Sequence, residues 1–116
     1  MKIKISELVG PPLDWAVARC QYPKSAMSCT HVWILTDPFS GEDDFLIEKY
    51  STDWAQGGPI IEREFIELHT HSVNDDGIVA WRANDYMDGP TLLIAAMRCY
   101  VAQVLGQEVD IPQELT

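Results

Sequence analysis

Apolar residues recur at helical spacing near both ends of the chain and gather into short, strand-like runs between them. Leu13, Ala16, Val17 and Cys20 fall at i, i+3, i+4 and i+7, the mark of one buried helical stripe. Pro11 and Pro12 suit the first turn of that helix, whose amides have no helical partner. Asp14 and Trp15 lie off the stripe and are expected outside the buried face. A short turn over Ser6-Glu7-Leu8-Val9, capped by Ser6 and ended by Gly10, is expected before it. The clearest element is C-terminal. Leu93, Ala96, Met97, Tyr100, Val101, Val104 and Leu105 trace one helical face, which Asp88-Gly89-Pro90-Thr91 opens and Gly106 closes.

Between the helices, His31 to Thr36 is rich in β-branched and aromatic residues and predicts a strand, with Trp33 in the core. Asp37 to Asp44 is turn chemistry throughout, and Phe45 to Tyr50 is the expected antiparallel partner. Phe65 to His71 predicts a third strand, Asn74-Asp75-Asp76-Gly77 a hairpin-like turn, and Ile78 to Ala83 a fourth strand. The tail from Gln107 to Thr116 is acidic and contains Pro112. The pattern is that of an α+β domain: a small, mostly antiparallel sheet of about four strands, packed with an N-terminal helix and a longer C-terminal helix. With no repeat or second apolar block, residues 1–116 read as a single domain.

Composition adds constraints. The chain of 116 residues is 47% hydrophobic, enough for one core. Eighteen acidic residues against eight basic ones give a net charge of −10, which repels phosphate backbones and argues against direct nucleic-acid binding. Only Glu42-Asp43-Asp44 and Asp75-Asp76 cluster, so the charge reads as solubility rather than as the ordered rows of a nucleic-acid mimic. The apolar run from Leu92 to Met97 stops at Arg98, far short of the roughly 20 residues that span a bilayer. Met1-Lys2-Ile3-Lys4 leads into no signal-peptide core, so a cytoplasmic location is expected. Cys20, Cys29 and Cys99 are odd in number and show no Cys-x-x-Cys spacing, which predicts reduced, structural thiols.

Most chemical signatures are missing. His69-x-His71 would place two imidazoles on one strand face, and His31 or Asp75 is the nearest candidate for a third ligand. No spacing is diagnostic, so the histidines read as surface residues and no metal or other cofactor is expected. There is no Gly-x-Ser-x-Gly elbow, no cysteine–histidine turn and no phosphate-cradling lysine loop, so no catalytic residue is assigned. The segment from Tyr50 to Glu64 stands apart. In one reading Trp54 plugs the core and Gly57-Gly58-Pro59 is a turn that brings Ile60 and Ile61 inward. In the other the same residues build a ligand site. Tyr50, Ser51, Thr52, Asp53 and Gln56 then supply hydrogen bonds, Gly57 and Gly58 admit a ligand to the backbone, Trp54 stacks and Arg63 meets an anion. Asp14 and Trp15, with Trp81 and Arg82, would complete that site from neighbouring elements. Four tryptophans suit a protein–protein anchor equally well.

Three blocks share a family pattern: Glu7-Leu8-Val9-Gly10 leading to Leu13-Asp14-Trp15-Ala16-Val17-Ala18-Arg19-Cys20, then Tyr50 to Glu64, then Gly89 to Val101 running on to Glu108-Val109-Asp110-Ile111-Pro112. In that order they resemble the NinX family, small proteins of tailed phages and prophages of enteric bacteria. Gln21 to Lys49 carries no part of the resemblance. The resemblance implies a phage-encoded, non-virion protein in the bacterial cytoplasm, and it brings no catalytic residues. Two functions follow as expectations. One is an accessory module that captures a small nucleotide-like ligand, such as a host immune signal, without turnover and as a homo-oligomer. The other is an acidic interaction protein that binds and alters a host or phage protein.

Overall fold

The computed structural model describes residues 1–39, 41–73 and 79–116. The order is β1 (Lys2–Lys4), a 3-10 turn (Ile5–Glu7), α1 (Gly10–Gln21), β2 (His31–Asp37), β3 (Gly41–Leu46), α2 (Trp54–Arg63), β4 (Leu68–Val73), β5 (Val79–Ala83), β6 (Met87–Gly89), α3 (Leu92–Leu105), β7 (Glu108–Asp110) and a final 3-10 turn (Gln113–Leu115). Ser40 and the expected turn at Asn74–Gly77, with Asp75 and Ile78, lie outside the described residues.

The core forms where the two expected helices meet. Leu13, Ala16 and Val17 of α1 are fully buried, as are Met97 and Val101 of α3. β5 and β6 also pack on α3, and α2 touches it as well. An apolar helix covered on several sides has little polar surface, and Arg98 explains how its charge is tolerated there. Its Nε donates to Leu8 O at 2.8 Å and its Nη1 to Asp88 O at 2.9 Å, tying the Leu8 loop and β6 to α3 through charge-assisted bonds. Thr91 caps α3, its Oγ1 accepting from Ile94 N at 3.1 Å, and the Gly106 amide closes the other end on Ala102 O.

The class is α+β, as expected, but the strands do not form one sheet. Three antiparallel sheets are described: β1–β7, β2–β3 and β4–β5–β6. β1, β6 and β7, each of three residues, are too short to leave a period-two signal. β1 and β7 are joined by the chain ends: the Met1 ammonium donates to Asp110 Oδ1 at 2.7 Å, and Ile111 N donates to Met1 O. The turn expected over Asp37–Asp44 is shorter. Asp37 Oδ1 accepts from Phe39 N at 2.8 Å, and the acidic residues Glu42, Asp43 and Asp44 lie in β3, opposite Leu35, Ile34 and Trp33. Trp33 is half-buried rather than in the core, because β2 and β3 project from the body as a ribbon. Near the N-terminus the 3-10 turn covers Ile5–Glu7 without a Ser6 cap, and Gly10 begins α1 instead of ending that turn.

Two further corrections concern the central segment and α1. Gly57-Gly58-Pro59 is not a turn but the middle of α2. Asp53 starts that helix, its carboxylate accepting from Ala55 N at 3.0 Å. Pro59 cannot donate to the Ala55 carbonyl, and both residues are exposed, where losing that bond costs least. Asp14 and Trp15, expected outside the buried face, are 7% and 9% exposed. Two later segments cover them: in the connection after α1, Ser28 O accepts from Trp15 Nε1 at 3.0 Å, and before α2, Ser51 N donates to Asp14 Oδ1 at 2.8 Å.

The three thiols are free, with Cys20 and Cys99 buried and Cys29 partly exposed. Burial pushes the Cys20 thiol up to about 12. Brief treatment of the folded protein with iodoacetamide is therefore expected to alkylate Cys29 at most, and all three cysteines in denaturant. Rapid modification of Cys20 or Cys99 in the folded chain, read by mass spectrometry, would contradict this packing.

Candidate functional site

The segment that joins β3 to α2 and the start of α3 come together. Ser51 and Thr52 form the approach to α2, Trp54 is its first residue, and Pro90 to Ile94 are the entry and first turn of α3. With Trp81 of β5 they line a cleft of about 430 Å³. That volume lies at the small end of ligand sites. Its walls offer hydroxyls from Ser51, Thr52 and Thr91 and apolar faces from Trp54, Trp81, Pro90, Leu92, Leu93 and Ile94.

Trp54 is 52% exposed, which rules out the core-plug reading. Ser51, Thr52, Trp54 and Trp81 are thus brought together, and the remaining candidates are distributed elsewhere. Tyr50 is buried, its phenol pushed up to about 12 chiefly by burial and further by Tyr22 and Glu48. Asp53 is spent on the helix cap. Gln56 is half-buried on α2 but does not line the cleft, and Gly58 lies beside the Trp54 ring, where an added Cβ would stand 3.8 Å from Cε3. Gly57 serves packing: a Cβ there would come 2.4 Å from Tyr50 O and 2.5 Å from Leu93 Cδ1. Trp15 is held by Ser28, with the Arg19 guanidinium 5.7 Å from its ring centre.

Arg63 sits at the opposite end of α2. Its Nε bonds Glu64 Oε2 at 2.9 Å, its Nη2 donates to Gln21 Oε1 at 2.7 Å, and its guanidinium lies 5.8 Å from the Tyr100 ring centre. Arg82 is likewise committed, to Asp88, through Nε at 2.7 Å and Nη2 at 3.2 Å. The Arg82 guanidinium holds the Asp88 carboxyl below its usual range. Among the described residues no lysine or arginine lines the cleft. His69 and His71 each face a separate carboxylate, Asp85 at 2.9 Å and Asp88 at 3.4 Å, and no described group of three residues could hold a metal.

Asp14 opens on a second cleft, of about 400 Å³, between the start of α1, the base of the β2–β3 ribbon and Leu115. Thr52 lines both clefts. Burial raises the Asp14 carboxyl above its ordinary range, against the lowering pull of the Ser51 hydroxyl and amide and of Lys49. A carboxyl raised by folding favours the folded state when protonated, and that contribution is lost as pH rises through the folded-state value. Asp14→Asn keeps an acceptor for Ser51 N and removes the buried charge. Its stability relative to the native protein is expected to rise between acid and neutral pH in denaturant titrations. A relative loss over that interval would reverse the sign of this account.

The first turn of α3 is the part of the cleft that sequence reading missed. Asp88-Gly89-Pro90-Thr91 was read as the opening of the helix, but which side chains would meet Trp54 depends on how α2 and α3 pack, which no local pattern states. No helix among the described residues is long and apolar enough to cross a membrane. No match to a curated protein was found. The family model described as Bacteriophage P22, NinX matches residues 4–104, spanning both helices that frame the cleft and nearly all of α3. The chain therefore belongs to the phage P22 NinX family.

Proposed function

We propose that this phage protein is a non-catalytic capture module whose Trp54–Trp81 cleft takes a small nucleotide-like ligand, of the kind a host uses as an immune signal, without turnover. The half-exposed Trp54 carries the reading. A Trp at the first position of a helix, left open on a cleft that a second Trp also lines, offers an aromatic surface that folding does not use. Bases stack on such surfaces. The cleft lining supplies hydroxyls and apolar faces, with no histidine, carboxylate or thiol among the described residues to carry a proton or attack a bond, which suits holding over turnover. Sequestration is stoichiometric, and a second copy covering the open side of Trp54 would complete the enclosure as a homo-oligomer. Trp54→Ala is expected to stay folded by circular dichroism while nucleotide affinity, measured by calorimetry, weakens by ~1–3 kcal/mol. Unchanged affinity, or collapse of the fold, would remove the proposal.

A second reading, a protein-binding module, is supported by the β2–β3 ribbon. Leu35, Phe39 and Leu46 are 63%, 97% and 66% exposed. From Ser25 to Glu48 there is no lysine or arginine, while Asp37, Glu42, Asp43, Asp44 and Glu48 are acidic. Two such ribbons would repel each other edge to edge, so a basic polypeptide is the partner they fit. Capture of a basic host protein by the native chain, lost in a Leu35→Ser, Phe39→Ser variant, would favour this reading over the first.

A further inference from the structure

We infer that the cleft seats one phosphate group on the N-terminus of α3, with the Ser51 hydroxyl as a direct donor, so that its ligand is a nucleoside bearing a single phosphate. This rests on the capture reading above and specifies its ligand. α3 runs for 14 residues and its first turn forms one wall of the cleft. Thr91 satisfies Ile94 N through its side chain and Ala95 N through its carbonyl. The amides of Leu92 and Leu93 are therefore the open donors of that turn, at the positive end of the helix dipole.

The second observation is Ser51. It is 1% exposed, lines the cleft, and its Oγ has no hydrogen-bond partner among the described residues. Its amide is spent on Asp14 Oδ1. The hydroxyl lies near enough to that carboxylate to lower its pKa, without the geometry of a formed bond. A buried hydroxyl left without a bond is costly, and a phosphate oxygen in the cleft would satisfy it. The single phosphate follows from charge. With no lysine or arginine among the described lining residues and a net charge of −10, a chain of phosphates gains repulsion without a compensating cation.

Calorimetric titration of the intact chain with adenosine and guanosine, their 5′-monophosphates and their 5′-triphosphates tests this. The monophosphate of one base is expected to bind roughly tenfold or more tighter than its nucleoside, and the triphosphate no tighter than the monophosphate. Ser51→Ala is expected to bring the affinity for the monophosphate down to that of the nucleoside measured on the same variant. Leu92→Pro gives an independent check. Proline is tolerated at a first helical position and the preceding Thr91 is already extended, at φ −130° and ψ 160°, so the variant deletes one amide donor with the helix intact. Relative to Leu92→Ala, it should weaken the monophosphate and not the nucleoside. Equal binding of nucleoside and monophosphate, or a phosphate advantage that survives both variants, overturns the phosphate seat and leaves the stacking cleft standing. Binding of none of the six compounds overturns both.

Discussion

Gly89→Ala is expected to destabilise the protein by about 3 kcal/mol, at the upper end for a single added methyl in a packed interior. Gly89 ends β6 where the sheet crosses α3. A Cβ there would stand 2.6 Å from Ala95 N, 2.9 Å from its Cα and 3.2 Å from its Cβ. The first two are helix backbone, which cannot rotate away as a side chain tip would. Accommodation therefore requires β6 and α3 to separate, and that motion would also strain the Arg98 bond to Asp88 O. Equilibrium unfolding in urea measures the loss. A cost under ~0.5 kcal/mol would mean that β6 and α3 are not packed at this distance.

Met97→Ala should cost ~2–5 kcal/mol, the range for truncating a buried Met. Met97 is fully buried in the same apolar cluster as Leu13, Ala16 and Val17 of α1. The spread reflects how far that cluster can close over the void. Val101 is equally buried on the same helix, and Val101→Ala removes less volume, so it should cost less than Met97→Ala. Denaturation midpoints of the two variants decide the order. Losses within ~0.5 kcal/mol for both would mean that α3 is not docked as described.

Both helices of the core were legible because each repeats its apolar positions over several turns, with prolines at the start of α1 and a glycine at the end of α3. Gly106 was found on that basis. α2 was hidden because Gly57, Gly58 and Pro59 oppose helix propensity, yet Gly57 has a tertiary reason to be there and Pro59 is tolerated on an exposed face. Gly57 lets α2 approach Tyr50 O and Leu93, and Pro59 lies where its missing bond costs least. The buried state of Asp14 and Trp15 was hidden for a similar reason. A periodic stripe reports one covered face, and α1 has a second cover in the chain that returns past Ser28 and Ser51.

The site was partly legible. Ser51, Thr52, Trp54 and Trp81 were singled out for their side-chain chemistry and do share one cleft. Arg63 was assigned to the same group because it is the one cation within the Tyr50–Glu64 segment. Ten residues of helix carry it to the far end of α2, where Glu64, Gln21 and Tyr100 hold it. The helix N-terminus offers a positive end in its place, and such an end has no residue letter of its own.

Native mass spectrometry of the protein isolated from phage-infected cells tests the central proposal most directly. The account predicts a non-covalent mass increment on the native chain, one per protein copy. Denaturation should release it as a small molecule with the ultraviolet spectrum of a nucleobase, and Trp54→Ala prepared in the same way should lack it. A bare native chain from infected cells, or one carrying a host polypeptide in place of a small molecule, would contradict the account.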